Sequence, residues 1–175
     1  NPIILKPKNN NSLWKGVTIL GNYEYPKSIL KYVNISGITG LKSKDWIVDA
    51  GLFVYQSDLF LENIEIKNNN SEHAINIVSS KFTIKDIVIK NSTIDGLDVD
   101  FSNGKIIGGV FSNIGYKGGG DAIDFSGSYS ELEKLKISDI YDKGISIGEK
   151  SNILAENIDL SNLAIGVAIK DGSSL

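Results

Sequence analysis

The chain has 175 residues, 41% of them hydrophobic, with 18 glycines, no cysteine, no methionine and a single histidine, His73. That length suits one domain with a real core; the missing thiols exclude disulfides and cysteine chemistry, and a lone histidine argues against a histidine-rich metal centre or a Ser/His/Asp triad. A formal net charge of −3 makes no electrostatic case for nucleic acid or an anionic membrane surface, and no stretch is long and apolar enough to insert in a bilayer.

The first residues, NPIILKPKNNNSLW, are too short and too polar for a secretory signal and are expected to form a first, partial coil of a repeating structure. Faint copies of a repeat follow in WKGVTILG (14–21) and YVNISG (32–37). From residue 64 the repeat is plain. One motif reads IEIKN (64–68), IVIKN (87–91), VFSN (110–113), LKISD (135–139) and IDLSN (158–162), each ending on Asn or Asp. A second follows each copy: EHAINIVSS (72–80), DGLDVDFSN (95–103), DAIDFSGSY (121–129), KGISIGEKS (143–151) and IGVAIKDGS (165–173). Counted from His73 in the first copy and from the first residue in the others, its second position is small (Ala74, Gly96, Ala122, Gly144, Gly166), so the spacings are 22, 26, 22 and 22 residues. Its third and fifth positions are apolar in every copy, from Ile75 and Ile77 to Val167 and Ile169.

Apolar and polar residues alternating over short β-branched runs predict strands, and no helical stripe of ten or more residues interrupts them. Several short strands per period of about 22 residues predict an all-β, right-handed, single-stranded parallel β-helix of about seven coils, because one coil cannot bury its apolar face and stacked coils can. The Asn/Asp column is expected at a turn, where short side chains tolerate left-handed backbone and hydrogen-bond locally. Leucine-rich repeats have a similar period, but no leucine holds a fixed column here. With no methionine and an abrupt close on KDGSSL, the chain reads as one domain over residues 1–175 belonging to a longer polypeptide.

The candidate chemistry lies in the second motif. If Leu97, Val99, Ile123 and Phe125 point inward, Asp98 and Asp124 point outward and stack on adjacent coils, with Asp95 below Asp121 and Lys143 above it. Carboxylates about 5 Å apart either share a proton, the condition for general-acid work, or bind a hard cation, for which Asp98 and Asp124 are the expected ligands and calcium the expected ion. A solvated face without chemistry is the plain alternative. His73 falls in the Asp95 column. The glycines of KGGGD (117–121) lack the phosphate-loop lysine and predict a bulged turn in the one long repeat. Trp14, Trp46, Tyr55 and Tyr116 are candidate sugar-stacking platforms, Trp14 also a core or cap residue.

The order NSTIDGLDVD, GGGDAIDFSGS, DKGISIGEKS, IGVAIKDGS over about residues 81–173 resembles the pectin lyase and polygalacturonase superfamily of right-handed β-helices. The resemblance implies an acidic-polysaccharide enzyme with catalytic groups at Asp95, Asp121 and Lys170. It departs at three places: Gly120 stands where the expected general acid belongs, Lys143 where a histidine belongs and Ala168 where an arginine belongs. Asp98 and Asp124 could replace the missing acid only one column over. A lyase using Lys143 or Lys170 as base beside a cation is the other enzymatic possibility. The closing repeats also resemble β-helix domains of large bacterial surface proteins. That likeness implies a secreted or surface-exposed part of a larger bacterial protein; with the catalytic segments degenerate, the acidic columns then read as a face offered to glycan by a non-catalytic module.

Overall fold

The computed structural model describes residues 1–9, 12–22 and 27–175. The expected partial first coil is therefore described except at Asn10 and Asn11. Among the described residues every regular element is a strand: β1 (Ile3–Leu5), β2 (Val17–Leu20), β3 (Ser28–Ile38), β4 (Leu41–Lys42), β5 (Ile47–Val48), β6 (Ala50–Tyr55), β7 (Leu59–Asn69), β8 (His73–Val78), β9 (Lys81–Ser92), β10 (Asp95–Asp100), β11 (Asn103–Ile114), β12 (Ile123–Ser126), β13 (Tyr129–Gly148) and β14 (Asn152–Ile169). They stack in parallel as a right-handed β-helix. One column of strands runs β1-β3-β7-β9-β11-β13 and another β2-β6-β8-β10-β12-β13, with β14 pairing along β13.

Three corners bend each regular coil, and each is a residue in the left-handed region. The first is Asn63, Asp86, Gly108, Lys134 and Asn157; the second is Asn68, Asn91, Asn113, Asp139 and Asn162; the third includes Gln56, Ser79, Phe101 and Gly127. The second is the Asn/Asp column expected from sequence. Its amides bond along the stack, Asn91 Nδ2 donating to Asn68 Oδ1 at 3.0 Å and Asn113 Nδ2 to Asn91 Oδ1 at 2.8 Å. Three corners define three flat faces, here called first (before the first corner), second and third.

The coil count differs from expectation. About five regular coils are present rather than seven. They begin at β7; upstream, β3 runs into an antiparallel β4–β5 hairpin before β6 rejoins the stack, and β1 and β2 are only three and four residues long. The N-terminal copies of the repeat are thus strands laid on the end of the stack, interrupted by an excursion that the period alone did not show.

The interior is a continuous column of Ile, Leu, Val and Phe. Ile75, Ile77, Leu97, Val99, Ile123, Phe125, Ile145 and Ile147 are all buried as expected. Val167 is only partly buried and Ile169 is half exposed, because β14 has a neighbouring coil on one side only.

Candidate functional site

The third face is built by β6, β8, β10, β12 and the C-terminal parts of β13 and β14. Inward Ile and Val at every second position force the residues between them outward. The register then stacks Asn76, Asp98, Asp124, Ser146 and Ala168 in one outward column, and His73 beside Asp95. Asp98 and Asp124 are therefore direct neighbours, as the sequence requires. Asp121 meets Asp95 through its own amide, which donates to Asp95 Oδ1 at 2.8 Å, and Lys143 sits above Asp121. Lys170 does not join them: its amide donates to the Ile147 carbonyl and its stem covers Gly148, roughly 16 Å along the strands from Lys143.

Most of these groups are used to tie one coil to the next. Asp121 Oδ1 accepts from the Lys143 amide at 3.0 Å and from Lys143 Nζ at 3.2 Å, and Lys143 Nζ donates to Asp142 Oδ2 at 2.6 Å. Asn76 Nδ2 donates to Asp98 Oδ2 and to Asp100 Oδ2, both at 2.9 Å. His73 Nδ1 lies 3.4 Å from Asp95 Oδ2 and 3.5 Å from Asp98 Oδ2; these are ion-pair distances without hydrogen-bond alignment, since Nδ1 has no hydrogen-bond partner. Asp124 Oδ1 and the Oγ of fully buried Ser146 are likewise without one among the described residues.

The electrostatics follow from burial and like charge. Burial pushes the Asp98 carboxyl up to about 7, reinforced by Asp100, Asp124 and Asp95 and opposed by His73. Burial alone would lower His73, but the adjacent carboxylate of Asp95 and the charges of Asp98 and Glu72 outweigh it and raise the imidazole. Burial also raises Asp121 against the Lys143 contacts. Lys143 moves the other way from a general base: burial would lower it, but the bonds to Asp142 and Asp121 hold its ammonium protonated.

The cation expected at Asp98 and Asp124 finds a poor donor set. Calcium takes about six to eight oxygens, and among the described residues no three His, Cys, Asp or Glu side chains are grouped to hold a metal ion. Asp98 is instead balanced by His73 and bonded by Asn76.

The aromatic expectations divide. Trp14 is a cap residue, packed on the core with Nε1 donating to the Ser36 carbonyl at 2.7 Å. Trp46 and Tyr55 are exposed, Trp46 in the turn of the β4–β5 hairpin. Tyr116 is half-buried in the bulged turn that KGGGD was expected to form, with Gly115 and Gly119 at positive φ. Sequence reasoning missed Phe101, which is 63% exposed at the third corner with φ +47. It also missed a buried serine ladder. Ser57, Ser80, Ser102 and Ser128 each donate a backbone N–H to the serine Oγ of the next coil (Ser80, Ser102, Ser128, Ser151) at 2.9 to 3.1 Å. Its signal was present: a serine recurs two residues after the second-motif strand in VSS, FSN and SGS and three residues after it in EKS.

With the three corners, the parallel stack and the outward acidic column in place, the class is settled. The chain belongs to the right-handed β-helix family: residues 15–175 match the family described as right handed beta helix region. No curated protein matches it significantly.

Proposed function

We propose that this chain is a non-catalytic β-helix module of a secreted or surface-exposed bacterial protein, and that it binds glycan on the third face and the corner beside it. Phe101 carries the reading. Left-handed backbone at a bulky residue costs about 1–2 kcal/mol, yet this corner presents a phenylalanine to solvent where other coils place Gln56, Ser79 or Gly127. Its ring lies against Gly127, where an added Cβ would come within 2.6 Å of the ring. An open ring at the corner that ends β10, the strand that carries Asp98 and Asp100 outward, suits a sugar, whose C–H face stacks on an aromatic while its hydroxyls donate to carboxylates.

Three observations support a non-catalytic role. Lys143, the candidate base, is held protonated. Asp95 and Asp121 spend acceptor capacity on inter-coil bonds. Lys170 stands at the far end of the face. The surface location rests on the resemblance to β-helix domains of bacterial surface proteins.

The test is an array of neutral and acidic oligosaccharides probed with the wild type and with Phe101→Ala. The variant is expected to lose about three- to tenfold in affinity with no fall in melting temperature. Equal binding by both proteins, or no binding by either, defeats the reading. Formation of product from a polyuronate would defeat its non-catalytic part.

A further inference from the structure

On the first face, the side that adjoins the third across the Phe101 corner, the outward columns read Ile29, Phe60, Thr83, Lys105, Glu131 and then Lys31, Glu62, Lys85, Ile107, Glu133. The columns close on Glu131 and Glu133, with Lys105 paired to Glu131, and at the other end Glu62 is the one carboxylate between Lys31 and Lys85. There three ammonium groups converge on one outward aromatic ring. Lys31 Nζ lies 5.1 Å from the Phe60 centroid, Lys85 Nζ 5.8 Å and Lys27 Nζ 5.9 Å. Lys27 and Lys81 line a shallow concavity together with one carboxylate, Asp58.

Such a cluster is costly by itself. Three cations grouped about one ring lie within about a Debye length of one another and repel. The ring quadrupole attracts each of them, and of the three only Lys31 has a carboxylate partner among the described residues, Glu62 at 2.8 Å. The chain as a whole is negative, so the surplus positive charge is local. An anion lying over Phe60 would meet the ammonium groups of Lys27 and Lys85 and relieve their repulsion, while the ring supplies an apolar floor.

We infer that the Lys27–Lys31–Phe60–Lys85 cluster is an anion-recognition surface for a polyanionic glycan, one whose carboxylates or sulfates sit over the lysines while its sugar ring packs on Phe60. This rests on the glycan-binding reading and deepens it. A strand crossing the Phe101 corner places its charged groups on the first face, away from Asp98 and Asp124, which would repel them. The acidic column and the basic cluster together set which part of the polymer lies on which face.

The experiment measures binding of the whole chain to polygalacturonate, dextran sulfate, neutral dextran and a short DNA duplex at two salt concentrations. Wild type and the triple variant Lys27→Gln/Lys31→Gln/Lys85→Gln are compared, with Glu131→Gln as a charge control on the same face. The expected result is binding to both charged polysaccharides that weakens with salt. The triple variant should lose about tenfold, roughly twofold per exposed charge, and Glu131→Gln should lose nothing. Preference between polygalacturonate and dextran sulfate identifies carboxylate or sulfate as the anion. The side chains are at the surface, so melting temperature should not fall, and Phe60→Leu, which keeps apolar bulk, separates loss of the ring from loss of fold. Unchanged binding by the triple variant overturns the assignment of this cluster. Equal affinity for DNA overturns its assignment to glycan. Binding to neutral dextran that matches the charged polymers leaves the glycan reading standing and overturns this one, whereas no binding to any polysaccharide overturns both.

Discussion

Asp98 shows how a single outward residue can become a titrating centre through its neighbours in the stack. Its carboxyl faces Asn76 and His73 on the coil below, Asp124 on the coil above and Asp95 and Asp100 on its own strand, with Asp121 and Lys143 further along. Burial moves it from the ordinary 3.8 up to about 7, so between those values the folded chain holds a proton that the unfolded chain has released. Stability then falls as pH rises through this window. His73, also raised, adds to the same slope, since its favourable charge is lost as pH climbs through its folded value; Asp121, raised by burial, has the same sign. We expect the melting temperature to fall between pH 5 and about pH 8, and Asp98→Asn to flatten that slope and raise stability at the upper end. A melting curve that rises with pH across this range, or an Asp98→Asn variant with the wild-type slope, would contradict the assignment.

At the scale of the element, the ladders determine how one coil seats on the next. The outer ladder is exposed in part and works by tolerance of left-handed backbone at Asn68, Asn91 and Asn113. The inner one is buried, and each serine Oγ is the partner of a backbone N–H on the neighbouring coil. Ser102→Ala would leave the Ser80 amide, which donates to Ser102 Oγ at 2.9 Å, without an acceptor in the interior. That should cost about 1–3 kcal/mol. Asn91→Ala gives up two amide bonds, one exposed and one half-buried, and places Ala at φ +58, for about 1–2 kcal/mol. Denaturant unfolding of the two variants checks both values. A Ser102→Ala change below about 0.5 kcal/mol would mean that water or a shift of the corner replaces the lost acceptor.

At the scale of the molecule, stability is distributed along a one-dimensional stack in which each coil supports its neighbours. Ile145 pairs in register with Ile123 below and Val167 above and is buried. Ile145→Asp puts an unpaired charge between coils, so the expected outcome is failure to fold or aggregation, seen as loss of the soluble monomer in size-exclusion chromatography. A soluble variant with the wild-type melting temperature would show that this position is not part of the shared core.

The sequence by itself determined the solenoid, the inward columns, the Asn/Asp corner and the stacking of Asp98 on Asp124. All of these are periodic, and any side chain that must meet its copy on the next coil leaves its period in the chain. The excursion at β4–β5 broke the period and so hid the true count of regular coils. What a side chain does once stacked was also hidden. The serines recurred visibly, but only the fold showed their hydroxyls facing backbone amides inside the stack. Only the fold brought Asn76 onto two carboxylates and tied Lys143 to Asp121 and Asp142. Lys27 and Lys31 on the β3 coil and Lys85 on the β9 coil converge on Phe60 because the β7 coil that carries the ring lies between them. Period is a property of the chain, whereas charge balance, burial and convergence belong to groups far apart along it and exist only after the coils have stacked.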